Sequence, residues 1–171
     1  MKFVSNILIL VLLAGMIAFS SCEKPPVYPP YPSIKYVSFI KDNISGPDSK
    51  GTLTISFQDG DPNFGLAPTD TLPPYNRGSK FYYNLFIIFY EKQNGVYVPI
   101  QLAGTDSARI PVVTPAEGTT SLKGTIQDDL YINDIITPPQ FDTVAFDVSI
   151  ADRDLHVSNI IRTPDIIVNK Q

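Results

Sequence analysis

Apolar and polar residues alternate strictly over "TLTISFQ", residues 52–58. Leu53, Ile55 and Phe57 fall on one side, and Thr52, Thr54, Ser56 and Gln58 on the other. A period of two belongs to a strand with one face in a core. The pattern returns in "DTVAFDVSIAD", residues 142–152, with Val144, Phe146, Val148 and Ile150 inward. "FYYNLFIIFYE", residues 81–91, is apolar on both sides, which predicts a central strand or one covered on both faces. "QNGV" follows at 93–96. Asn-Gly between apolar runs predicts a two-residue hairpin, because both turn positions need positive φ. "VYVPI" is then the returning strand, and Pro99 places it at an edge, since proline cannot donate to a ladder. "ARIPVV" (108–113), "SLKGTI" (121–126) and the closing "PDIIVN" (164–169) are further strand candidates. "DDLYINDIIT", residues 128–137, comes nearest to a helix, but its β-branched residues predict a loop containing one turn. Seven or eight short strands separated by Gly/Pro turns predict an all-β, immunoglobulin-like β-sandwich, with a small β-barrel as the alternative.

The N-terminal end is different. Ile7–Phe19 is an unbroken apolar run behind Lys2. At about 1.5 Å per helical residue it spans about 20 Å, short of the roughly 30 Å hydrocarbon core. Charge, apolar run and then small residues (Ser20, Ser21) form the order of an export signal over residues 1–21. Cys22 follows and is the only cysteine, so an intramolecular disulfide is impossible. "FSSCEK" resembles a bacterial lipobox, which implies that Cys22 carries diacylglycerol and becomes the mature N-terminus. Two or more acyl chains suffice for stable anchoring. "EKPPVYPPYP", residues 23–32, holds five prolines in ten. It reads as an extended, semi-rigid tether, giving a lipidated cysteine and tether over 22–32 and one domain over 33–171.

Charge narrows the partners. The chain carries −4; without Lys2, 12 basic side chains face 17 acidic ones, a net −5 for the 150 residues from Cys22. Nucleic acid is a poor partner for such a chain, because phosphate binding needs a basic stripe. A chain of this length buries enough surface for one core without disulfides.

The acidic residues cluster. In "SFQDGDPNFGLAPTD", residues 56–70, with Asp59 as position 1, Asp61 falls at 3, Asn63 at 5, the Gly65 carbonyl at 7 and Asp70 at 12. Those are the ligand positions of an EF-hand-type calcium loop, and hard oxygen donors suit Ca²⁺. Phe64 stands where that loop has Gly, and Asp70 where it has Glu. The other reading is a turn whose Asp and Asn side chains cap local amides. In an immunoglobulin-like sandwich "TLTISFQ" is the second strand and "TVAFDVSIA" the sixth, and the loops after them share one end. Asp59, Asp61 and Asn63 would then face Asp152 and Asp154. Converging carboxylates without a cation raise one another's pKa. Arg153 and Arg77 could instead neutralise the cluster by salt bridges.

"ISFQDGDPNFGL", "YYNLFIIFYEKQNG" and "DRDLHVSN" with "TPDIIV" resemble uncharacterised lipoproteins of the Bacteroidota type. These carry a "DGDGDIG"-like segment after an early strand and a "DR…SN" segment before the last. The resemblance implies a small β-sandwich on a lipid anchor at the bacterial outer membrane, with no established activity. Here Pro62 and Asn63 replace the pattern's Gly and Asp. Surface display in such organisms follows an acidic run after the lipidated cysteine. This chain has Glu23 and then Lys24, which leaves periplasmic face and cell surface both open.

Two further constellations stand out in the sequence. Asp154, His156 and Ser158 sit at i, i+2 and i+4, one face of an extended strand. Neighbours on one strand stand side by side and do not form a nucleophile–base–orienter chain, so no catalytic residue is nominated. Tyr82, Tyr90 and Tyr97 lie in or near the hairpin and could line a glycan-binding face, or simply pack on the sheet. The expected function is a non-catalytic, lipid-anchored envelope module, calcium-stabilised at the acidic loops, with an unknown protein or glycan partner. A carbohydrate-binding accessory lipoprotein is the alternative, and a hydrolase the distant one.

Overall fold

The alternation of residues 52–58 forms the middle of β2 (Lys50–Asp59), whose odd positions are all buried. In the computed structural model β2 lies between β1 (Ser33–Lys41) and β5 (Leu122–Tyr131) in a three-stranded antiparallel sheet. The second sheet has the order β4 (Val96–Pro99), β3 (Leu85–Gln93), β6 (Thr143–Ile150), β7 (Ile161–Arg162), and β8 (Ile166–Ile167) also pairs with β6. The structure describes residues 28–42, 45–102, 104, 106–115, 118–133 and 140–170. Cys22, the export signal and the first part of the tether lie outside the described residues. Among the described residues no helix is long and apolar enough to cross a membrane.

Strands 1, 2 and 5 against strands 3, 4, 6 and 7 make the two layers of an immunoglobulin-like sandwich, with β4 on the sheet of β3 and β6. The sheets keep separate edges, so the barrel alternative is not realised. Aromatic rings join the layers. Phe146 of β6 stacks on Phe39 of β1 at 5.9 Å and meets Phe89 of β3 edge-on at 5.4 Å. Ile34, Leu53 and Ile55 of the first sheet and Val144, Val148 and Ile150 of the second complete the core. Each such side chain contributes about 1.5–3 kcal/mol by leaving water.

The hairpin turn forms as its residues dictate: Asn94 and Gly95 have φ of 53° and 86° between paired Gln93 and Val96. Pro99 does lie on an edge strand, opposite Tyr90. β3 is a central strand, between β4 and β6, and is covered on one face only: Leu85, Ile87, Phe89 and Glu91 are buried, while Ile88 is 49% exposed. Three expectations change. Residues 128–131 belong to β5 rather than to a loop, and 134–137 lie outside the described residues. Segment 108–113 forms no strand; Ala108 makes an isolated antiparallel bridge to Leu85, and further backbone bonds tie the segment to Phe64, Leu66 and Asn84. Of the closing segment 164–169 only Ile166–Ile167 is strand (β8), and β7 is a further short strand before Pro164, which cannot donate to a ladder.

Arg109 sits on segment 108–113 and fixes the long β2–β3 connection. Its guanidinium donates to the carbonyls of Tyr82 (2.6 Å), Ala67 (3.0 Å), Asp70 (3.0 Å) and Tyr75 (3.4 Å), and it lies 5.0 Å from the Tyr82 ring centroid. Bonds to a charged donor are the stronger kind. Arg109→Ala is expected to cost about 2 kcal/mol, read as a lower urea midpoint. An unchanged midpoint would show that the clamp contributes nothing.

Candidate metal centre at the acidic pole

Two strand phases build the site. Inward positions of β2 run 51, 53, 55, 57 and 59, so the last of them is a carboxylate, Asp59. Inward positions of β6 run 144, 146, 148 and 150, and two residues further the same phase gives Asp152. The strands end at the same pole on opposing sheets. Asp59 is 0% exposed and Asp152 2%. One oxygen from each of Asp59, Asp61 and Asp152 lies within 4.8 Å of the others.

The hydrogen bonds leave a deficit there. Asp59 Oδ1 accepts from the Asp61 amide at 3.3 Å, the local cap that a turn would make. Asp59 Oδ2 and Asp61 Oδ1 are buried and meet no donor among the described residues. Asn63 donates its Nδ2 to Asp154 at 2.8 Å, and its Oδ1 is likewise buried and undonated. Native proteins seldom leave buried acceptors so. Burial first, and then the charges of Asp61 and Asp152, push the Asp59 carboxyl up to about 6. Burial, followed by the Asp152 charge, also raises Asp61.

Arg153 does not relieve this cluster. It turns away to Asp70, with Nη1–Oδ2 at 2.6 Å and Nη2–Oδ1 at 3.3 Å, and donates to the Gly65 carbonyl at 3.1 Å. Positions 7 and 12 of the calcium-loop numbering are therefore held by a guanidinium and not brought to the other acidic groups. The Arg153 hydrogen bond also lowers the Asp70 carboxyl. Arg77 lies 5.9 Å from the Tyr82 ring centroid. The side chain that does reach the site is His156: its amide donates to Asp152 Oδ1 at 2.8 Å, and its ring Nδ1 lies 2.9 Å from Oδ2. The Asp152 contact raises the His156 pKa, although the ring is half exposed.

The rest of "DRDLHVSN" is architectural. The Arg153 amide donates to the Asn63 carbonyl at 3.1 Å, closing one loop on the other. Tyr75 donates to the Arg153 carbonyl at 2.5 Å and lies beneath its guanidinium. Ser158 is buried, accepting from the Ile150 amide and donating to the Asn159 carbonyl. Asn159 reaches the far sheet, where its side chain accepts from the Ile34 amide at 2.9 Å and donates to the Ile34 carbonyl at 3.0 Å. Asp154, His156 and Ser158 thus each serve a different partner.

The three tyrosines are not one platform. Tyr90 and Tyr97 share Arg162, 4.4 and 4.6 Å from their ring centroids, and Arg162 is bidentate to Asp147. Tyr97 also donates to Asp165, which pairs with Lys92 at 2.5 Å. Tyr82 stands before β3, at the opposite end from Tyr90; Leu85 to Tyr90 alone spans about 17 Å at about 3.3 Å per residue. Arg109, Tyr75 and Asn159 carry no signal in the sequence, because their partners are backbone groups distant in the chain. Asp59 and Asp152 did carry one, as the next inward positions of two alternating runs. Compared with protein-family models, with curated proteins and with solved structures, the chain matches none.

Proposed function

We propose that this chain is a non-catalytic, lipid-anchored β-sandwich of the bacterial outer membrane, an interaction or structural module whose acidic pole is ordered by calcium. The supporting observation is the set of buried, undonated oxygens on Asp59, Asp61 and Asn63 beside Asp152. Calcium takes six to eight oxygens at about 2.3–2.6 Å, so two oxygens on one ion lie at most about 5 Å apart. The 4.8 Å span of the three carboxylate oxygens is compatible with that reach. The donors are all oxygens, which suits a hard cation rather than zinc. Asp154 would act from behind, since its bond to Asn63 Nδ2 keeps the amide oxygen free. A bound divalent charge would also hold Asp59 and Asp61 ionised. The anchor rests on the sequence around Cys22.

Melting of the mature chain in millimolar Ca²⁺ and in chelator tests the reading. A ligand at 100 times its Kd adds about 2.7 kcal/mol. For a domain of this size the shift is roughly 5–10 °C. Asp61→Ala should remove it. Coincident wild-type curves in the two buffers would end the calcium reading.

A further inference from the structure

Gly60 lies between two candidate ligands, Asp59 and Asp61, and it also touches the tether. Its amide donates to the Pro29 carbonyl at 2.8 Å. A Cβ built on Gly60 would fall 2.2 Å from the Pro29 oxygen and 2.3 Å from the Tyr28 oxygen. Close approach of the tether, and not an unusual backbone angle, is what demands glycine here. The chain also enters β1 at this pole, with Ser33 opposite Gln58. Tether, first strand and acidic turn therefore meet at one end of the sandwich.

We infer that calcium binding at the Asp59–Asp61 turn and docking of Tyr28–Pro29 onto Gly60 are a single coupled event, by which the cation sets how far the domain stands from the membrane. This rests on the calcium reading above. The peptide plane after Gly60 is held by Asp59, whose Oδ1 accepts from the Asp61 amide at 3.3 Å. A cation drawing Asp59 and Asp61 together holds the Gly60 amide toward Pro29. Without it the carboxylates repel, the turn loosens, and the amide loses its aim. Linkage makes the effect reciprocal: whatever factor calcium adds to docking, docking adds to calcium affinity. With Cys22 as the anchor, the seven residues to Pro29 reach at most about 25 Å, and the eleven to Ser33 at most about 40 Å. Docking takes up that difference and keeps the acidic pole near the headgroups.

The Gly60 amide reports the docking directly, since its acceptor is the tether itself. In the full ¹⁵N-labelled chain in detergent, Ca²⁺ should slow its hydrogen exchange at least about tenfold. Gly60→Ala should expel the tether and weaken calcium affinity, measured by calorimetry, about tenfold. Replacing Tyr28-Pro29-Pro30 by Gly-Ser-Gly separates this from damage to the turn: in that background Gly60→Ala should cost little further. If calcium raises the melting temperature but leaves Gly60 exchange unchanged, or if Gly60→Ala weakens affinity equally in both backgrounds, the coupling is wrong and the calcium site stands. If calcium changes neither melting nor exchange, both proposals fall together.

Discussion

In chelator the Asp59→Asn protein is expected to melt above the wild type, and in millimolar calcium below it. Asparagine keeps the shape of the side chain and the Oδ1 that accepts from the Asp61 amide. It removes one charge from three carboxylates whose nearest oxygens lie within 4.8 Å of one another. Asp59 is fully buried, so in the cation-free protein its charge is both desolvated and repelled, and losing it should stabilise by about 1–2 kcal/mol. With calcium present the balance inverts. The wild type gains about 2.7 kcal/mol at 100 times Kd, and the variant, lacking an anionic ligand, gains little of it. Differential scanning calorimetry of both proteins in both buffers checks the crossing. A variant less stable than wild type in chelator as well would show that Asp59 is simply a structural cap.

Phe146→Ala is expected to destabilise by about 3–5 kcal/mol whatever the calcium concentration. The ring is fully buried and touches Phe39 of the opposite sheet and Phe89 of its own. Truncation removes the layer-to-layer contact and leaves a cavity that the two sheets, fixed by their ladders, fill poorly. Against a total stability of about 5–15 kcal/mol the loss is large. Guanidinium unfolding would show it as a lower midpoint. Phe86→Ala, on the outer face of β3, provides the contrast, with an expected loss of about 1 kcal/mol. Equal losses at the two positions would contradict the inward and outward assignment of these strands.

The strands whose inner face carries an apolar run were legible. β2 alternates without exception and β6 breaks the period of two only at the small, buried Ala145, and their order in the chain sufficed to bring Asp59 and Asp152 to one pole. β5 was half legible, because its inward positions read Leu122, Gly124, Ile126, Asp128 and Leu130, and the Gly and Asp break the apolar signal. β1 had no clear bounds in the sequence: a bulge between Tyr36 and Ser38 shifts the phase so that Phe39 follows Tyr36 inward. β3 was legible as a central strand, while double cover, the other reading of its apolar outward Phe86, Ile88 and Tyr90, is not met: Ile88 is exposed and Tyr90 is partnered by Arg162 across the outer face. In the site itself, spacing alone nominated Gly65 and Asp70. Spacing says nothing of a competing guanidinium, and Arg153 approaches from more than eighty residues away.

The side chain of Asn159 has a consequence for solubility. Its amide group supplies one acceptor and one donor to the backbone of Ile34, as a neighbouring strand would. β1 is an outer strand, and exposed strand edges recruit other chains into extended ribbons. By occupying the start of that edge with an internal imitation of a partner, Asn159 denies foreign strands their first foothold.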